Sequence, residues 1–168
     1  VVLLIILLNS GWLQRWCTAV TVEGEDYSAV GYNYYYFSVY QDFLNSGEYP
    51  SSGFNVSASH SGQQYDPDTT WKEHFSALAE ERLVLTAYYG RLARQADYSF
   101  SEQELAPVQA RLDEITRFCA ETGIKEGNYF SAYYGAGMDR EQYARELTAE
   151  VKAQAYRAHL MQTMQPSD

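Results

Sequence analysis

Residues 31–40 read GYNYYYFSVY, five tyrosines in ten positions, and the fold class turns on whether they form a strand or a helix. Alternation fits part of the run, but a strand leaves the apolar continuation to Leu44 unexplained. Helical spacing accounts for the whole of it. Tyr32, Tyr36 and Tyr40 recur every four residues on one face, which Phe43 extends, while Val30, Tyr34, Phe37 and Leu44 make a second apolar face nearby. Ser28 stands where an N-cap belongs and Gly47 lies just past Asn45, so the pattern predicts a helix from Ser28 through Asn45. A tyrosine brings a large apolar ring and a hydroxyl that needs a partner once buried. Two aromatic faces on one helix are therefore expected to serve both a core and an accessible surface.

Working outward, Thr18-Ala19-Val20-Thr21-Val22 is β-branched and alternating, the pattern of a short strand. Glu23-Gly24-Glu25-Asp26 turns the chain, and Tyr27 starts its return. On the other side, residues 46–68 have no periodicity and are dense in Ser, Gly and Pro, which predicts a long flexible loop. Thr70 and Glu73 then form a capping box. After it, Trp71, Phe75, Leu78, Arg82, Leu85, Tyr89 and Leu92 recur at spacings of four and three, the pattern of a narrow seam along another long helix. Gly90 inside this helix is expected to mark a close approach. Ser101 and Glu104 form a second box. The stripe Leu105, Val108, Leu112, Ile115 and Cys119 follows it to a stop at Gly123, with a kink expected at Pro107. A shorter helix covers about 126–134, ended by Gly135 and Gly137, and Asp139 caps a last one. That helix carries Tyr143, Leu147, Val151, Ala158 and Met161 on one side, and Ala149, Ala153, Tyr156 and Leu160 on the other. The predicted fold is mainly α: a short N-terminal strand or hairpin followed by about five helices.

At 168 residues the chain supports one good hydrophobic core. Its net charge of −10 and its interspersed basic residues exclude a nucleic-acid backbone as partner, because that requires a basic stripe. Val1–Leu8 is an unbroken apolar run followed by Trp12 and Trp16. Eight residues cannot span a bilayer, which takes about twenty. Residues 1–16 therefore read as the C-terminal end of a truncated transmembrane anchor or signal segment, with the two tryptophans at the membrane–water interface. A buried strand and a cleaved signal peptide are the rival readings; with no A-x-A site in view, the anchor is favoured. Residues 17–168 form the helical domain. Cys17 and Cys119 lie far apart in sequence; one such pair can form a disulfide in an exported protein, but two thiols alone do not imply a disulfide framework.

Chemistry is sparse. His60, His74 and His159 are scattered without a second ligand at metal-binding spacing. No phosphate-binding glycine loop follows a strand, no nucleophile elbow is present, and the paired acids Glu80-Glu81 and Asp113-Glu114 read as solvated helix faces. No cofactor and no catalytic residue are expected.

The order and spacing of these signals resemble a known family. AVTVEGEDYSAVGYNYYY, through Val20, Val22, Gly24, Tyr27 and Ser28, resembles the opening of the N-terminal domains of SurA/PrsA-type extracytoplasmic foldases. QQYDPDTTWKEHF, SFSEQEL, and Tyr133-Tyr134-Gly135 followed by MDREQYARE look like membrane-anchored members from Gram-positive bacteria. The likeness runs from about Cys17 to Met164. Glu23 departs from the Asn that the family favours before the glycine. A lipid-attachment cysteine is also absent, since Cys17 follows Gln14-Arg15-Trp16, and this favours a transmembrane anchor over a lipoprotein. The resemblance implies an ATP-independent chaperone domain, anchored at its N-terminus to the cell membrane on the extracytoplasmic side, whose partners are unfolded or nascent exported polypeptides. Two alternatives stand beside it: the non-catalytic part of a parvulin-type prolyl isomerase, and a membrane-anchored helical adaptor for one defined partner. For polypeptide contact the candidate residues are Tyr32, Tyr36, Tyr40, Tyr88, Tyr89, Tyr129, Tyr133 and Tyr134, because tyrosine offers broad, stiff contact area at small entropy cost.

Overall fold

Ser28 ends a strand and starts a helix, and that double role places the N-terminal hairpin against the helical body. In the computed structural model, which describes residues 18–163 apart from 23, β1 (Thr18–Val22) pairs antiparallel with β2 (Glu25–Ser28). Val22 faces Glu25 and Val20 faces Tyr27, with an irregularity between Thr18 and Val20. Gly24 sits in the turn at φ +81°, a conformation that costs glycine little. The anchor expected over residues 1–16, the Cys17 thiol and the Glu23 turn position all lie outside the described residues. Among those described, no helix is long and apolar enough to cross a membrane.

The Ser28 hydroxyl then accepts the Gly31 N–H at 3.1 Å and opens α1 (Ala29–Asn45), the helix that the tyrosine run predicts. Both expected capping boxes are formed. Thr70 and Glu73 start α2 (Trp71–Gln95), and Ser101 and Glu104 start α3 (Glu102–Thr122), which runs through Pro107 and ends at Gly123 with φ +70°. α4 (Glu126–Tyr134) stops at Gly135. Asp139 accepts the Gln142 N–H at 2.9 Å and opens α5 (Arg140–Thr163). The architecture is mainly α with an N-terminal two-stranded hairpin and five helices. α2 lies along both α5 and α1, α3 packs on α5, and α4 bridges α1, α3 and α5.

α1 divides its aromatics between two clusters. Val30, Tyr34 and Tyr35 enter the main core with Leu83, Ile115, Phe130, Met138 and Tyr143. Tyr40 and Phe43, with Tyr36 touching both clusters, pack with Phe54, Trp71 and Phe75 in a second, almost wholly aromatic cluster. That second cluster changes the reading of residues 46–68. The expected flexible loop has short 3₁₀ turns at Tyr49–Ser51 and His60–Gly62. It is pinned by the buried Phe54 and by His60, whose Nδ1 shares a 2.7 Å hydrogen bond with the Tyr36 hydroxyl. Gln63 ties the loop to itself, accepting the Asn55 N–H at 2.7 Å and donating to the Asn55 carbonyl at 3.0 Å.

The seam expected on α2 is corrected. Trp71 and Phe75 are buried, but the stripe continues through Ala79, Leu83, Thr86, Ala87 and Ala93, while Leu78 and Leu85 are 39% and 38% exposed. Small side chains at these positions let α1 and α5 come close, and alanine carries too little apolar bulk to stand out in a periodicity reading. Gly90 likewise marks no close approach; a Cβ there would meet nothing nearer than the Arg94 guanidinium at 3.7 Å. Close approaches fall instead at Gly31, where a Cβ would stand 3.1 Å from a carboxylate oxygen of Glu146 on α5, and at Gly135, where it would stand 3.0 Å from the Asn33 side-chain amide. On α5 itself, Met161 is 62% exposed and Ala158 is exposed, so the expected apolar side ends at Val151.

Candidate functional site: a groove between α1, α2 and α5

The displaced α2 residues face an open groove of about 550 Å³ bounded by α1, α2 and α5. Its walls are apolar: Val39 and Phe43 from α1, and Leu78, Leu85 and Tyr89 from α2. Its floor is ionic. Glu150 of α5, 4% exposed, accepts from the Tyr34 hydroxyl at 2.7 Å, from Arg82 Nε at 2.5 Å and from Gln154 Nε2 at 3.1 Å. The same guanidinium donates through Nη1 to Asp42 at 2.7 Å, so one arginine ties together the three helices that form the groove. Burial works against the Arg82 charge, but the Glu150 and Asp42 carboxylates outweigh it and hold the guanidinium above its ordinary pKa. Burial, and then the Glu150 charge, push the Tyr34 hydroxyl far above the usual tyrosine range, so it acts as a neutral donor.

A second buried carboxylate lies one turn earlier on α5. Glu146, 5% exposed, accepts from Arg145 at 3.1 Å and rests against the first turn of α1 at Gly31. Burial raises its pKa, and Arg145 offsets this only in part. The native chain therefore keeps the Glu146 proton to a higher pH than the unfolded chain does. In that window the native state binds more protons, and stability falls as pH rises from the ordinary glutamate value through the raised one. Glu146→Gln removes this loss. The variant is expected to melt at a higher temperature than wild type near neutral pH, and the two curves should converge in acid. Parallel curves across pH would show that another group titrates.

The tyrosines chosen from the sequence do not share one surface. Tyr32 packs against the main core. Tyr36 and Tyr40 come together beneath the 46–68 segment, where Tyr40 lies 4.7 Å from the His60 ring and burial pushes the Tyr36 hydroxyl up to about 12. Tyr88 and Tyr89 are neighbours with ring centroids 5.2 Å apart, and only Tyr89 lines the groove, with Arg157 over its ring. Tyr129 and Tyr134 are buried in the core. Tyr133 stacks outside on Tyr129 at 4.5 Å, on the α3–α4 side of the molecule. Part of the stripe expected on α2 lines this groove: Phe75, Leu78, Arg82, Leu85 and Tyr89. Arg82 interrupting an apolar stripe was the available signal, since a charge inside such a stripe calls for a buried partner. Glu150 on α5 is the partner that answers it.

Among the described residues, no group of three or more His, Cys, Asp or Glu is arranged to hold a metal ion. Cys119 is a buried free thiol whose pKa burial raises. Geometry and fold together define a helical domain with an open, apolar-walled groove over an ion-paired floor. Compared with known proteins, no family model, no curated protein and no solved structure matches the chain.

Proposed function

We propose that this chain is an ATP-independent, chaperone-like domain of the SurA/PrsA kind. It holds unfolded exported polypeptides outside the cytoplasmic membrane and is tethered there by its N-terminal apolar segment. The observation that carries this reading is the groove. Leu78 and Leu85 remain more than a third exposed on its wall. Two exposed leucines on the wall of one concavity suit it to apolar contact with a bound chain. The rim complements this, because the exposed Glu48 and Glu81 carboxylates can accept from the N–H groups of a peptide backbone whatever its sequence. Weak, reversible capture of many clients follows from that combination.

Purified protein in several-fold excess is expected to slow aggregation of an unrelated denatured client with no nucleotide added. Leu78→Asp combined with Leu85→Asp should abolish most of that protection while circular dichroism and the melting transition stay near wild type, since both side chains are exposed. A wild-type protein that leaves aggregation unchanged would overturn the reading.

A further inference from the structure

We infer that the groove selects polypeptide segments in which basic side chains alternate with bulky apolar ones. This rests on the polypeptide-binding reading above and specifies its substrate class. Charge in the groove is unbalanced: four carboxylates, Asp42, Glu48, Glu81 and Glu150, meet two guanidinium groups, Arg82 and Arg157. Arg82 is already committed between Glu150 and Asp42. Glu48 and Glu81 are exposed on the rim, and burial lowers the pKa of His74, which also lines the groove.

An independent feature adds to this polarity. The C-terminal end of α1 reaches the groove at Phe43 and Ser46, and the last turn of that helix contains no basic residue. The negative end of the helix dipole is therefore left for a cation from elsewhere. An incoming segment can lay aliphatic side chains against Leu78 and Leu85 while lysine or arginine stems extend along the walls to place their charges at Glu48, Glu81 and the α1 end. The chain's net charge of −10 draws such segments in over longer range and repels acidic ones.

Three short unstructured fluorescent peptides of equal leucine content, carrying lysine, serine or glutamate at the alternate positions, test this by anisotropy. The lysine peptide is expected to bind roughly ten-fold more tightly than the serine peptide, with the glutamate peptide weakest. High salt should collapse that ratio toward one. Glu48→Gln combined with Glu81→Gln should lower the lysine-to-serine ratio in low salt, with the fold checked by circular dichroism. Equal binding of all three peptides overturns the charge selection and leaves polypeptide binding standing. No binding of any peptide overturns both.

Discussion

Phe75→Ala is expected to destabilise the protein by about 4 kcal/mol in chemical denaturation, the cost of emptying a large, fully enclosed aromatic site. Phe75 is 0% exposed and is the hub of the second cluster, with ring centroids of Trp71, Phe43, Tyr40, His60 and Phe54 all within 5.8 Å. Those neighbours come from α1, α2 and the 46–68 segment, so the cavity would loosen the attachment of that segment as well as the helix pair. Limited proteolysis of the variant should therefore cut first within residues 46–68. Phe75→Leu retains most of the volume and should cost roughly 1.5 kcal/mol or less. Equal, small losses for both variants would show that the aromatic cluster contributes little to folding.

Arg82→Met should cost about 3 kcal/mol, because it leaves the buried Glu150 carboxylate without its cation. Tyr34 and Gln154 still donate to Glu150, but neither carries a charge. The methionine preserves the stem packing, so the loss isolates the ion pair. Adding Glu150→Gln to Arg82→Met should recover part of the stability, since the amide no longer buries a charge. Asp42 is 68% exposed at its side chain, and Asp42→Asn should change stability by about 0.5 kcal/mol at most, as solvent screens that partner. A loss at Asp42 as large as at Arg82 would place the stabilising interaction at the surface and not beneath the groove.

Much of the fold is legible in the sequence. Helix starts are local events, in which a hydroxyl or carboxylate reaches a backbone N–H within three residues, so Ser28, Thr70, Ser101 and Asp139 announced theirs correctly. Gly123 and Gly135 announced stops for the same reason, through backbone conformations available at little cost to glycine. The stripe on α3 was also readable, because Leu112, Ile115 and Cys119 are apolar residues buried on one side of one helix.

The candidate site was legible only in fragments. Its residues come from positions 39–48, 74–89 and 150–157, and nothing local to any of these segments states that they adjoin. Tyrosine content pointed to aromatic contact, yet the ring count could not distinguish Tyr134, sealed in the core, from Tyr133 beside it on the surface. A one-position change on a helix rotates a side chain by about 100°, which decides burial without altering composition.

What the amino-acid sequence determined by itself was therefore the set of elements and their ends: a hairpin, a tyrosine helix, two boxed helices, a short helix and a long last one. Capping, glycine stops and apolar spacing act over a few residues, and the chain carries them wherever it goes. Tertiary structure alone decided which face of each helix met a neighbour. Close packing of α1 and α5 against the alanines of α2 turned Leu78 and Leu85 outward, and the same approach enclosed Glu150 with Arg82. The groove exists because the burial of one helix face is settled by three helices together.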